Sequence, residues 1–147
     1  MSTTTTTAQT TQIYQVFILA TPEQIWDAIT RSEFTQQYFY GARIDVRDGR
    51  RFSAIGDIEW DEEVLEADPP RKLVHQWMAG YDPDLAAEDA SRVTWEIEPQ
   101  DGGITKLTVV HDQLEAAPKT AESVAGGWMY ILSGLKTLLE TGKPLAG

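Results

Sequence analysis

The chain has two histidines, His75 and His111, and each falls in a segment where apolar and polar residues alternate. Read as strands, these segments put His75 on a face with Leu73 and Trp77, and His111 on a face with Leu107 and Val109. Two imidazoles on the inner wall of an apolar pocket can orient a ligand or pass a proton. They can equally be core side chains bonded to a backbone carbonyl. Val74, Gln76 and Met78 compete with His75 for the inner face, so its direction stays open. Neither histidine has the spacing of a metal motif and cysteine is absent, so neither a metal site nor a thiolate nucleophile is expected.

Tryptophan carries the stronger signal: Trp26, Trp60, Trp77, Trp95 and Trp128 stand in a chain of only 147 residues. An indole suits the wall of an apolar cavity because its N–H remains available to a polar group of a ligand, although it also fills cores. Trp77, Trp95 and Trp128 are assigned to pocket lining, Trp26 and Trp60 to packing. The carboxylates Asp61, Glu62 and Glu63, and those between Asp82 and Asp89, read as solvated faces. Nucleophile elbows, phosphate-binding loops and dinucleotide fingerprints are missing. No catalytic residue and no cofactor is therefore assigned.

The elements that would position these residues follow from pattern. Ile13 to Ala20 is a strand ending at Thr21-Pro22, where Thr21 caps a short helix and Gln24 closes a capping box. A second helical turn covers Ser32 to Gln37 with Ser32 as its cap, and Tyr38-Phe39-Tyr40 ends at Gly41. Strands then follow at Ala42 to Arg47, Arg50 to Ala54, Ile58 to Ala67, Lys72 to Met78, Arg92 to Glu98 and Ile104 to Leu114. Asp48-Gly49 and Asp68-Pro69-Pro70 mark turns, and Ala79 to Ala90 reads as an exposed acidic loop. From about Thr120 to Thr141, Val124, Trp128, Ile131, Leu132, Leu135, Leu138 and Leu139 recur at helical spacing up to Gly142. The Gly126-Gly127 pair is expected at the helix start, a kink, or a close backbone approach. The sum is an α+β arrangement: a curved antiparallel sheet of six or seven strands, two short helices, and one long C-terminal helix over a cavity it fills only in part.

Length and composition, 41% hydrophobic and 24% charged, suit one domain over residues 13–147 after a Thr-rich disordered tail at 1–12. The tail lacks the basic and apolar regions of a secretory signal, and no stretch reaches the about 20 apolar residues of a membrane span. A formal charge of −11 repels phosphate backbones and anionic lipid surfaces, so nucleic acid is not an expected partner. A cytoplasmic location is expected.

Several separated segments resemble one known family. They are Ala20-Thr21-Pro22-Glu23-Gln24-Ile25-Trp26-Asp27-Ala28-Ile29-Thr30, Tyr38-Phe39-Tyr40-Gly41, the run from Val64 to Leu73 around Asp68-Pro69-Pro70-Arg71, Ser91 to Ile97, Gly127-Trp128, and Leu132 to Gly142. In order and spacing they resemble the START-like (SRPBCC) superfamily, and within it the homologues of the activator of the heat-shock-protein-90 ATPase. The likeness spans about Ile13 to Leu145 and implies a helix-grip fold. The superfamily holds lipid carriers, hormone sensors, polyketide cyclases and co-chaperone modules on one scaffold, so fold alone selects none of them.

Three readings follow. The first is binding of an apolar small molecule (lipid, sterol or aromatic polyketide-like) between the concave sheet face and the helix from Trp128 to Leu135. Tyr38, Phe39 and Tyr40 would form its rim, and His75, Trp77, Trp95, His111, Trp128 and Leu132 its interior. The second is a chaperone-binding or other protein-interaction module acting through the acidic outer sheet face. The third is a small-molecule cyclase or hydrolase using the same cavity.

Overall fold

The computed structural model describes residues 10–145, so most of the expected tail lies outside the described residues. Strand β1 (Gln12–Ile18) begins one residue earlier than its pattern suggests, because the Gln12 amide donates to the Ala121 carbonyl at 2.9 Å. Helix α1 (Pro22–Thr30) carries the expected capping box: Thr21 accepts from the Gln24 amide while the Gln24 side chain accepts from the Thr21 N–H. Helix α2 is a single turn, Ser32–Thr35. Ser32 is its first residue rather than its cap; Arg31 holds the cap position without a side-chain bond, and the Asp45 carboxylate takes the Ser32 N–H instead.

Six further strands complete the sheet: β2 (Arg43–Arg47), β3 (Arg50–Ile55), β4 (Ile58–Asp68), β5 (Lys72–Trp77), β6 (Ser91–Pro99) and β7 (Thr105–Asp112). All pairings are antiparallel, in the order β1-β7-β6-β5-β4-β3-β2. The β2–β3 turn is Asp48-Gly49, both with positive φ, the geometry that a two-residue hairpin of matching twist requires. Register slips at Leu65, between the pairs Val64–His75 and Glu66–Val74, so β4 carries a bulge there. Inner-face residues alternate cleanly, with Ser91, Val93, Trp95 and Ile97 on β6 and Thr105, Leu107, Val109 and His111 on β7 all buried.

Helix α4 (Pro118–Thr141) lays Val124, Trp128, Ile131, Leu132, Leu135 and Leu138 onto this face and stops at Gly142, whose φ of 77° only glycine adopts freely. Gly126 and Gly127 lie inside the helix rather than at its start, and Gly127 faces the Tyr40 side chain. Gly134 lets the Tyr38 backbone and Cβ approach closely.

The segment from Ala79 to Ala90 is not simply an exposed loop. Ala79 is buried, and Pro83–Ala86 forms a one-turn helix, α3, capped by Asp82. Glu88 reaches α4, whose cap residue Ala117 has no side chain to offer. Its carboxylate accepts from the N–H groups of Lys119 and Thr120 and from the Thr120 hydroxyl, at 3.0, 2.8 and 2.8 Å. This places a negative charge on the positive end of the long helix and pins the loop to it. Replacing Glu88 with Ala is expected to cost about 1 kcal/mol in urea unfolding, the usual loss for a helix cap, and to raise amide exchange in residues 79–90.

Candidate functional site

The sheet's inner face divides in two. On the β5–β7 side His75, Val93 and His111 stand in one cross-strand row, and each imidazole is fully bonded. His75 Nε2 accepts from the Trp95 indole N–H at 2.9 Å and its Nδ1 lies 2.8 Å from the Gln76 carbonyl. His111 Nδ1 accepts from the Trp128 indole at 3.0 Å, and its Nε2 lies 2.7 Å from the Ser91 hydroxyl. An indole N–H can only donate, so each ring must offer it a lone pair and is neutral. Trp95, Trp128, Trp77 and His111 also meet edge-on or tilted, with centroids 5.4–6.0 Å apart. This half is solid.

On the β2–β4 side the face is hollow. A cavity of about 380 Å³ lies between these strands and the N-terminal half of α4. At about 30 Å³ per molecule it has room for roughly a dozen waters, and it falls within the size range of small-molecule sites. Phe39, Ile44, Ile55, Trp60, Trp77, Val124, Trp128 and Ile131 supply an apolar wall. Tyr40, Met78, Tyr81 and Ser123, the exposed members of its lining, mark the mouth. There Tyr40 stacks on Tyr130 with centroids 5.0 Å apart.

One charge pair interrupts the apolar wall. Arg51 on β3 and Glu62 on β4 are directly opposed, 3% and 1% exposed, with Nη1 2.7 Å from Oε1. Glu62 Oε2 accepts from the Met78 N–H at 2.8 Å, so both its oxygens are engaged. The guanidinium also lies over the Phe39 and Trp77 rings at 5.5 and 5.4 Å. Burial raises the Glu62 carboxyl above its ordinary range, against the pull of Arg51. The expectation that Glu62 is solvated is therefore corrected: of the Asp61-Glu62-Glu63 run, Glu62 points inward, Asp61 is half-buried and Glu63 is exposed.

Of the residues assigned to a pocket from sequence, Phe39, Tyr40, Trp77 and Trp128 border the cavity. Trp95, His75, His111 and Leu132 stand outside its lining, Trp95 bonded to His75 and His111 to Trp128 and Ser91. Tyr38 is 4% exposed and donates to the Ala28 carbonyl at 2.7 Å, a packing residue rather than a rim. Sequence reasoning missed Arg51, Glu62, Ser53 and Ile44 and placed Trp60 in packing. Trp60 packs against Gly80, where no β-carbon would fit, and its ring meets Tyr81 at 5.7 Å. Among the described residues no cluster of three or more His, Cys, Asp or Glu could hold a metal ion, and no helix is long and apolar enough to cross a membrane.

A bent antiparallel sheet gripping one long helix, with a hollow left between them, defines the START-like, helix-grip class of protein. Within that class the chain belongs to the family described as Activator of Hsp90 ATPase homolog 1-like protein, matched over residues 19–140. No curated protein matches it. Among solved structures it is similar to an HSP90 activator from Plasmodium falciparum, at 23% identity and TM-score 0.71, covering 92% of this chain and 99% of that one. The Aha1 dimer of Colwellia psychrerythraea gives 19%, 0.72, 92% and 99% on the same measures. DynU16, a protein in the dynemicin biosynthetic locus, gives 23% and 0.73, with 92% of this chain on 49% of that one. At these identities the structural likeness speaks for the fold alone.

Two measurements check this division of the inner face. Truncating Arg51 to Ala leaves the Glu62 carboxyl buried without its partner, an expected loss of about 3–5 kcal/mol, whereas the double change Arg51→Met with Glu62→Leu should recover most of it. Burial holds His111 down to about 4 and His75 well below a free imidazole. The unfolded chain, with histidines near 6.5, therefore takes up these protons first. Their stabilisation is complete above about pH 6.5 and falls as pH drops toward 4, by about 1.4 kcal/mol per pH unit for each histidine. His111→Asn should unfold more easily at pH 7 yet show a shallower loss between pH 6.5 and 5.

Proposed function

We propose that this protein binds a small, largely apolar molecule in the cavity between β2–β4 and α4, with Phe39, Trp77 and Trp128 from the original assignment joined by Ile44, Trp60 and Arg51. The carrying observation is the recess itself: about 380 Å³, open on one side and walled mainly by apolar rings, it has the size and lining of small-molecule sites. Its apolar lining with one sharply placed charge pair has the composition of a ligand site rather than a packing defect. The likeness to a protein of a biosynthetic locus agrees with a small-molecule guest.

A second reading is favoured by the family match and by the likeness to an HSP90 activator: a module that docks on a chaperone. The outer sheet face offers Glu59, Glu63, Glu66 and Glu98 for it, although Lys72 and Lys106 pair with Glu66 and Glu98. Enzymatic use of the cavity gains nothing from the geometry, since His75 and His111 stand outside its lining and both Glu62 oxygens are occupied.

One substitution separates the two readings. A side chain at Gly127 enters the cavity lining, and its β-carbon meets Tyr40 at no less than 3.8 Å, so Gly127→Leu is expected to fold normally. Tryptophan fluorescence titrated with fatty acids, sterols and aromatic polyketides should respond in the native protein and at least tenfold more weakly in the variant. Equal responses, or none from the native protein, count against the cavity. Stimulation of Hsp90 ATPase that survives the Gly127→Leu change supports the docking role, and its absence in the native protein removes that role.

A further inference from the structure

The polar side chains bordering the cavity fall into two groups by position. Those of the inner wall are closed to a guest. Ser53 Oγ, Trp60 Nε1 and Trp77 Nε1 are buried among protein atoms instead of opening onto the hollow. Glu62 has both oxygens taken, and Arg51 is held against it and over the rings of Phe39 and Trp77. The surface left to a guest on this side is ring and aliphatic carbon, from Phe39, Ile44, Trp77, Trp128 and Ile131. A polar atom pressed against it loses its water and gains no side-chain partner, and a site of that kind discriminates strongly against guests that carry one there.

The mouth is the reverse. Three exposed residues there, Tyr40, Tyr81 and Ser123, bring hydroxyls from three parts of the chain. The Tyr40 hydroxyl stands over Gly127, 3.8 Å from where a β-carbon would be, and Ser123 lies one helical turn back on the same face of α4. Burial pushes the Tyr81 hydroxyl above its ordinary value, against a hydrogen bond from Ser123 and with help from Asp82 and Tyr40, so it keeps its proton at neutral pH. Hydroxyls both donate and accept, which suits a head group that does the same. A carboxylate head is less well served: Asp82 is close to Tyr81, and Arg51, the basic side chain of the lining, already faces Glu62 at 2.7 Å. Resting on the cavity reading above, we infer that the guest is an amphiphile polar at one end only. Its uncharged hydroxyl head stays at the mouth among Tyr40, Tyr81 and Ser123, and an oxygen-free body lies against the inner wall.

Calorimetric titration with four compounds of one rigid skeleton tests this: 6-methyl-2-naphthalenemethanol, 2,6-naphthalenedimethanol, 2,6-dimethylnaphthalene and 6-methyl-2-naphthoate. The mono-alcohol is expected to bind about tenfold more tightly than the diol, whose second hydroxyl must enter the dry end, and more tightly than the naphthoate. Tyr81→Phe combined with Ser123→Ala, which removes two hydroxyls from the mouth, should lower the ratio of mono-alcohol to dimethylnaphthalene affinity about fivefold. Nuclear Overhauser contacts in the native protein give a readout independent of any variant. The methyl end of the mono-alcohol should meet the Ile44 and Ile131 side chains, and its hydroxymethyl end the rings of Tyr40 and Tyr81. Equal binding of mono-alcohol and diol, the opposite orientation, or tighter binding of the naphthoate overturns the one-ended inference and leaves the cavity reading standing. Failure of all four to bind overturns both.

Discussion

An ion pair with almost no solvent contact, Arg51 against Glu62, is the constraint around which the inner face is arranged. Two charges taken out of water are tolerated only when each finds compensation, and here it comes from mutual contact, the Met78 N–H and the faces of Phe39 and Trp77. Those obligations tie β3, β4, the end of β5 and the Phe39 segment together.

The other half solves the same problem of buried polarity by closure. Two indoles donate to two imidazoles, and the imidazoles spend their remaining nitrogens on Gln76 and Ser91, so the network is complete and the rings can pack without gaps. Trp77 and Trp128 stand on the boundary between the halves, each in ring contact with His111 and each on the cavity wall. The wall is thereby braced from behind by a rigid aromatic cluster.

Most of the architecture could be read in the residues. The capping box at Thr21 and Gln24, the parity of β6 and β7, and the end of α4 at Gly142 all follow from local chemistry. What the residues alone left open was which inward positions meet empty space. Trp95 and Trp77 have the same parity, and only the path of α4 and the partners of their N–H groups separate a sealed indole from a wall indole. The inward direction of Glu62 had a readable cue: a two-residue turn at Gly56-Asp57 pairs Ile55 with Ile58 and so sets Arg51 opposite Glu62. A run of three acidic residues masked it. Ser32 is not the cap because the helix starts one residue earlier, with the Phe34 and Thr35 N–H groups on the Arg31 carbonyl, and Asp45, distant in sequence, accepts from the Ser32 N–H.

The extra residue at Leu65 interrupts the β4–β5 ladder at one point. On one side lie β5, β6, β7 and β1 with the histidine–indole cluster; on the other lie β2, β3 and the first half of β4, which carry most of the hollow's polar wall. A local break of this kind concentrates bending there instead of spreading it along every strand. The bend at this point sets the angle at which the outer three strands stand to the rest, and with it the width of the recess between them and the long helix.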